Sequence, residues 1–334
     1  MNMQHFDKKY TYPLLFGCKN IHFNGRAQKA YFYTMQQPLL QKLEDELFEE
    51  RGIELHVLRL DLTGGNKPFK LKYNLEAFRL SGKKHLLTFG GAWSNHITAT
   101  AEACMLAGIS AIGIIRGDEL NENSNSRLLF AAHCGMKLLF VSREEFRDMR
   151  GGLKKMNTFP FNYDECYVLP EGGSNALAVK GCSEIVQHVP LEFQYICCAC
   201  GSGATLAGIS QSIAGNRQAI GIAVLQGEKY LEDTVSRLSG EAKNYKIFHR
   251  YHFGGYAANA DALQIFCNQF MARQLLPVEP VYTGRLFYGI TDLIHAGYFD
   301  RGSVVVAVHS GGIFEKNPLV MENRKNFSGI YSSI

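Results

Sequence analysis

Lys67 stands where a lysine is a poor structural choice. It follows Gly64-Gly65-Asn66 and precedes Pro68, and proline suits the first position of a helix. The pattern predicts that Lys67 is the extended N-cap of a helix running to about Gly82. Lysine caps poorly and gains nothing from the positive end of a helix. That same field lowers an amine's pKa and favours the neutral nucleophile that Schiff-base chemistry needs. On the local pattern alone, an exposed surface lysine accounts for the segment as well.

Two other glycine-rich junctions offer complementary chemistry. Cys200-Gly-Ser-Gly-Ala-Thr205 ends an apolar run and opens a helix of small residues. The backbone N–H groups of Gly201, Ser202, Gly203, Ala204 and Thr205 can converge there on an anion. Leu206 occupies the third glycine position of a dinucleotide fingerprint, and no Gly-Lys-Ser/Thr follows as in a Walker loop. A small phosphate-bearing cofactor fits best, and a tight strand-to-helix turn is the plain alternative. In Gly-Gly-Ala-Trp-Ser-Asn-His, residues 90–96, the last three open a helix, where Ser94, Asn95 and His96 can receive a carboxylate. Ser94 or Asn95 can equally be a simple cap. Ser94 and His96 are not read as a hydrolytic pair, because neighbouring positions at a helix start do not face one another. Tyr282 and Thr283 precede a further helix, where a tyrosine can cover an aromatic cofactor or pack under a loop. Ser310 closes the last apolar run.

These junctions need elements to position them. Apolar runs at 85–89, 110–116, 137–142, 166–170, 195–200, 218–225 and 303–309 read as strands. Helical patterns lie between them, near 95–107, 124–134, 174–189, 229–238, 259–274 and 285–296. Residues 36–51 read as one long helix. Continuous apolar strands alternating with helices predict an α/β protein with mainly parallel sheets covered on both faces. In such sheets ligands sit beyond the carboxyl ends of the strands. A length of 334 residues suggests two domains.

Composition narrows the partners. The net charge of +4 carries no dense basic block, which argues against nucleic acid. No apolar run approaches the ~20 residues that span a bilayer, and the N-terminal segment shows no secretory signal. Nine scattered cysteines read as reduced thiols of a cytoplasmic protein. Cys197-Cys198-Ala199-Cys200 holds a C-x-x-C spacing, but within a strand-like run and without the second pair a zinc site requires.

Taken in order, GGNK-x-x-K, GGAWSNH, PEGGSNALA, CGSGAT, GGYA, VYTG and HSGG resemble the ACC deaminase/D-cysteine desulfhydrase group of fold type II pyridoxal-phosphate enzymes. The similarity spans about residues 52–315, and the 27-residue step from Lys67 to Ser94 matches as well. It implies two doubly wound domains of tryptophan synthase beta-like type with pyridoxal 5'-phosphate between them. Residues 1–70 with 177–334 would form the large domain, and 71–176 the small one. The resemblance implies that Lys67 carries the cofactor, with Lys70 and residues 201–205 holding its phosphate. Asn95 would bond the cofactor's phenolic oxygen, and Ser94, Asn95 and His96 would receive the substrate carboxylate. Tyr282 would stack on the ring, Tyr256 would line the substrate side, and Thr283 would meet the pyridine nitrogen with Ser310 nearby. Lys67, Ser94, Tyr282 and Tyr256 are then the catalytic candidates. The implied partner is a small amino acid and the implied assembly a homodimer. ACC deaminases of the group carry Glu and Leu where this chain has Thr283 and Ser310, so elimination from D-cysteine is the first expectation. Ring opening, β-replacement, dehydration and silent cofactor binding are the alternatives. The chain departs from the group in its short loop before Lys67, in Pro68, and in Phe69 before Lys70.

Overall fold

The computed structural model describes residues 38–151, 161–255 and 261–311. Their strands form two sheets. The larger is built from β1 (Leu39–Leu43), β2 (Glu54–Arg59), β7 (Tyr195–Cys200), β8 (Gln218–Ala223), β9 (Tyr245–Phe248) and β10 (Val304–Val308), in the order β1-β2-β10-β7-β8-β9. All its neighbours are parallel except β1, which runs antiparallel to β2. The smaller contains β3 (His85–Gly91), β4 (Ser110–Arg116), β5 (Lys137–Val141) and β6 (Cys166–Leu169), all parallel, in the order β5-β4-β3-β6.

The apolar runs become strands because helices cover both faces and bury them throughout. From Ile196 to Cys200 every residue of β7 is buried, as are Val305 to Val308 of β10. Cys197, Cys198 and Cys200 are free thiols of this strand and do not open a helix as a redox pair would. The helices are α1 (Glu46–Arg51), α2 (Lys67–Leu80), α3 (Asn95–Ala107), α4 (Ser126–His133), α5 (Arg143–Gly151), α6 (Ala176–Ser183), α7 (Ala204–Ser212), α8 (Glu228–Ser239), α9 (Asp261–Gln274) and α10 (Thr283–His295). Among the described residues, no helix is long and apolar enough to cross a membrane.

Two expectations are corrected. The long helix expected over 36–51, whose first two positions lie outside the described residues, is from Leu39 onward β1 followed by the short α1. The outer edge of β2 presents unpaired backbone groups that β1 satisfies. Asp45 then caps α1 by accepting from Leu47 N at 3.1 Å, so the helix begins only after it. The helix expected over 174–189 is regular only to Ser183 and tightens into a 3-10 turn from Glu184 to His188.

Most of the junctions singled out in the sequence follow the carboxyl ends of strands, whereas Tyr282 and Thr283 follow α9. Residues 60–67 follow β2, 92–94 follow β3, 170–175 follow β6, 201–203 follow β7, and Ser310 follows β10. Helix α6 brings two of these regions together by lying unusually close to α2. A Cβ on Gly181 would stand 1.8 Å from the Phe69 carbonyl oxygen, so only glycine permits the approach.

Candidate active site

The lysine turn is built from backbone geometry that two glycines permit. A 3-10 turn over Leu60–Thr63 leads to Gly64 and Gly65, with φ of 90° and 76°. Gly65 N donates to Leu60 O at 2.7 Å, and Asn66 N donates to Ser310 O at 3.2 Å, which ties the turn to the end of β10. The fit is tight enough that a Cβ on Gly65 would lie 2.3 Å from Ser310 O.

Lys67 is the first residue of α2, not its cap. Asn66 occupies the cap position with near-helical φ −82° and ψ −5°, and Pro68 falls second. The chain has already reversed at the two glycines, so the helical conformation starts one residue earlier than the proline suggested. Asn66 is buried and works in two directions. Its Oδ1 accepts from Lys67 Nζ at 2.7 Å, and its Nδ2 donates to Thr205 Oγ1 at 2.9 Å. Lys67 as a whole is half-buried, yet its amine is enclosed. Burial, followed by the neighbouring Lys70 cation, pulls its pKa down to about 7.

One turn along α2, buried Lys70 points at two loops from different sheets. Its Nζ donates to Gly172 O at 3.0 Å and to Ser202 Oγ at 3.2 Å. Ser174 Oγ donates to Ser202 Oγ at 2.6 Å, joining the same loops. Gly203, at φ 82°, is the cap position of the nine-residue α7, and a Cβ there would stand 2.8 Å from Val235 Cγ2. The loop therefore offers first-turn N–H groups, hydroxyls from Ser202 and Thr205, and an ammonium enclosed by protein. This donor set suits a phosphate dianion.

On the facing side Ser94 caps α3, its Oγ accepting from Ile97 N at 3.3 Å. The N–H groups of Asn95 and His96 are then first-turn donors that the helix itself does not use. The His96 side chain turns inward. Its Nε2 lies 2.7 Å from Thr88 Oγ1, which itself donates to Leu169 O at 2.9 Å, so Thr88 must accept and His96 carries its proton on Nε2. Thr100 Oγ1 lies 3.4 Å from Nδ1, and burial holds the imidazole neutral by lowering its pKa well below the usual range. At His96 only the backbone N–H remains to meet a carboxylate.

Tyr282 occupies the cap position of α10, with its Cε1 3.4 Å from where a Gly201 Cβ would stand. The ring thus lies beside the phosphate-type loop. Thr283 is fully buried, and its Oγ1 accepts from Glu279 N at 2.9 Å and lies 3.4 Å from both Glu279 O and Oε1. Its hydroxyl therefore meets Glu279. Ser310 meets the lysine turn through its carbonyl. Tyr256 lies outside the described residues.

Sequence reasoning missed Asn66, Ser174 and Glu279. Glu279 accepts from Val281 N at 2.7 Å, Tyr282 N at 2.8 Å and Thr283 N at 2.9 Å, so it fixes the start of α10 and with it Tyr282. Burial raises its carboxyl pKa, and these backbone bonds oppose the rise. An acidic residue four positions before a helix start was the available signal.

A family model described as pyridoxal-phosphate dependent enzyme matches residues 38–311. A Pyrococcus horikoshii protein, provisionally named 1-aminocyclopropane-1-carboxylate deaminase, is 29% identical, covering 79% of this chain and 86% of its own. An Arabidopsis thaliana protein named bifunctional D-cysteine desulfhydrase/1-aminocyclopropane-1-carboxylate deaminase is 27% identical over 78% of this chain and 73% of its own. The crystal structure of an ACC deaminase homologue superposes with a TM-score of 0.69 at 25% identity, covering 89% of this chain and 98% of that one.

Proposed function

Because the chain belongs to the pyridoxal-phosphate dependent enzyme family, we propose that it is a lyase removing the α-proton and a β-substituent from a small amino acid. D-cysteine is the first candidate substrate, giving pyruvate, ammonia and sulfide. The observation that carries this reading is Lys67, an enclosed amine held by Asn66 with a pKa near 7. The cofactor, when bound, supplies an electron sink for the charge left at the α-carbon.

The chain's residues do the rest. Lys67 is assigned to hold the cofactor and, as a neutral amine, to take the α-proton. Lys70, Ser202 and the N–H groups of residues 201–205 are assigned to its phosphate. Asn95 is assigned to its phenolic oxygen and Tyr282 to its ring face. The ring nitrogen is assigned to Thr283, whose Oγ1 accepts from Glu279 N at 2.9 Å, with Ser310 nearby. Ser94 Oγ and the first-turn N–H groups of Asn95 and His96 receive the substrate carboxylate, and Tyr256 joins Tyr282 on the substrate side. The protein is read as a cytoplasmic homodimer, so light scattering should return twice the 37.4 kDa chain mass; a monomer would refute that part.

Purified protein loaded with the cofactor should show a visible absorption band and release sulfide and pyruvate from D-cysteine but not L-cysteine. Lys67→Ala should lose both band and turnover. An unchanged band in that variant, or no sulfide from D-cysteine, contradicts the reading. The naming of relatives as ACC deaminases favours a second reading, which 2-oxobutanoate release from 1-aminocyclopropane-1-carboxylate would establish.

A further inference from the structure

Lys70 carries its ammonium on a flexible four-carbon stem, so a grip on phosphate needs something that fixes where the ammonium points. The candidate lies one turn along α2. Asn74 is fully buried in the middle of that helix, where asparagine is a weak helix former and a buried amide is costly unless it is bonded. Its four hydrogen-bonding positions are all used. Oδ1 accepts from Asn175 Nδ2 at 2.7 Å and from the Tyr167 hydroxyl at 3.0 Å. Nδ2 donates to Asn175 Oδ1 at 3.2 Å and to Lys70 O at 2.8 Å.

These bonds close a circuit that starts and ends on Lys70. Its Nζ donates to Gly172 O at 3.0 Å. Three residues further along that loop, the Asn175 side chain pairs with Asn74, whose Nδ2 returns to the Lys70 carbonyl. The loop inside the circuit is seated against the phosphate-type loop of the larger sheet. A Cβ on Gly172 would stand 2.8 Å from Ser202 Oγ, and Ser174 Oγ donates to the same atom at 2.6 Å. Tyr167, on β6, adds a second hold, since its ring meets Phe78 of α2 edge-on with centroids 6.2 Å apart. Asn175 also caps α6, accepting from Ala178 N at 2.9 Å. Asn74 thus ties α2 to β6 and to the start of α6 beside Lys70. Elsewhere on α2, Lys72 and Tyr73 bond Glu184, a tie that includes neither Lys70 nor Gly172.

We infer that Asn74 is a positioning residue for the cofactor's phosphate: through Asn175 it holds Gly172 O where that carbonyl aims Lys70 Nζ at the Ser202 loop. Removing Asn74 strands the Asn175 amide and the Tyr167 hydroxyl, and a broken buried network loses more than one bond. The 170–175 loop then loses its place and the lysine stem regains its rotamers, so the ammonium must be ordered anew when an anion arrives. The ring contacts assigned to Asn95, Tyr282 and Thr283 are untouched. The loss therefore falls on the phosphate share of cofactor affinity. The inference rests on the cofactor assignment proposed above.

The test is equilibrium binding to the apo protein, followed by absorbance, of pyridoxal 5'-phosphate and of pyridoxal, which lacks only the phosphate. The ratio of the two affinities isolates the phosphate share, because a general loosening of the fold weakens both ligands alike. Wild-type protein should prefer the phosphate ester at least about a hundredfold, as two charge-assisted bonds provide. Asn74→Leu should lower that ratio at least about tenfold. Asn175→Ser should lower it about threefold or more, because serine keeps the cap of α6 but loses the amide pair. Tyr73→Phe removes a bond from the same helix outside the circuit and should leave the ratio within about twofold. A ratio that survives in Asn74→Leu or in Asn175→Ser, or that falls equally in Tyr73→Phe, overturns the inference and leaves the cofactor assignment standing. A wild-type ratio near one overturns the assignment of Lys70 to the phosphate and the inference with it. Should Asn74→Leu fail to fold, Asn175→Ser against Tyr73→Phe decides.

Discussion

At the residue scale the decisive property is the proton affinity of Lys67. An ordinary lysine titrates near ~10.4 and is almost wholly charged at neutral pH. Here burial and the Lys70 cation bring the value to about 7. The amine is charged and unreactive below that pH and neutral above it. The rate at which apo protein captures pyridoxal phosphate should therefore climb as pH rises through about 7 and level off above, followed by stopped-flow absorbance. A rate still climbing at pH ~10 would identify an unperturbed lysine instead. Local pattern alone left Lys67 between a nucleophile and an exposed surface lysine, and the ordered motifs downstream decided for the nucleophile. What the pattern could not reveal was side-chain direction. His96 is spent on Thr88 and Thr100, and Thr283 Oγ1 accepts from Glu279 N, because buried polar atoms must find partners that only the tertiary structure supplies.

At the element scale the site depends on how closely α6 lies against α2. Gly181→Ala would place a methyl 1.8 Å from Phe69 O, and overpacking of this kind costs about 1–3 kcal/mol or more. Because Phe69 sits between Lys67 and Lys70, this variant should lose cofactor affinity together with thermal stability. Gly82→Ala is the control. It meets nothing within 4 Å, although its φ of 67° adds strain, so its melting temperature should fall while cofactor affinity stays. Equal loss of affinity in both variants would show that α2 is not positioned by this contact. The strand and helix alternation was legible because parallel strands buried on both faces are apolar throughout. The edge strand β1 was not, since Leu39–Leu43 has no clear period-2 alternation and its structure follows from the open edge of β2. The start of α2 was placed one residue late for a related reason, because Gly64 and Gly65 had already turned the chain.

At the scale of the molecule, the site lies where two sheets meet. Lys70, on α2, bonds Gly172 beyond β6 of the smaller sheet and Ser202 beyond β7 of the larger one. A phosphate placed there would tie both sheets together, and a ligand at a hundred times its Kd stabilises by about 2.7 kcal/mol. Pyridoxal phosphate should therefore raise the melting temperature well above the effect of pyridoxal, and Lys70→Met should erase most of that difference. A difference unchanged in Lys70→Met would remove Lys70 from the phosphate site. The two-sheet arrangement itself was not readable from local pattern, because β10 inserts between β2 and β7 and joins segments from both ends of the chain. The central claim is that Lys67 holds the cofactor. Borohydride reduction of the loaded protein followed by peptide mass spectrometry tests it directly: the account predicts the reduced pyridoxyl phosphate on Lys67, and its appearance on any other lysine, or on none, would contradict it.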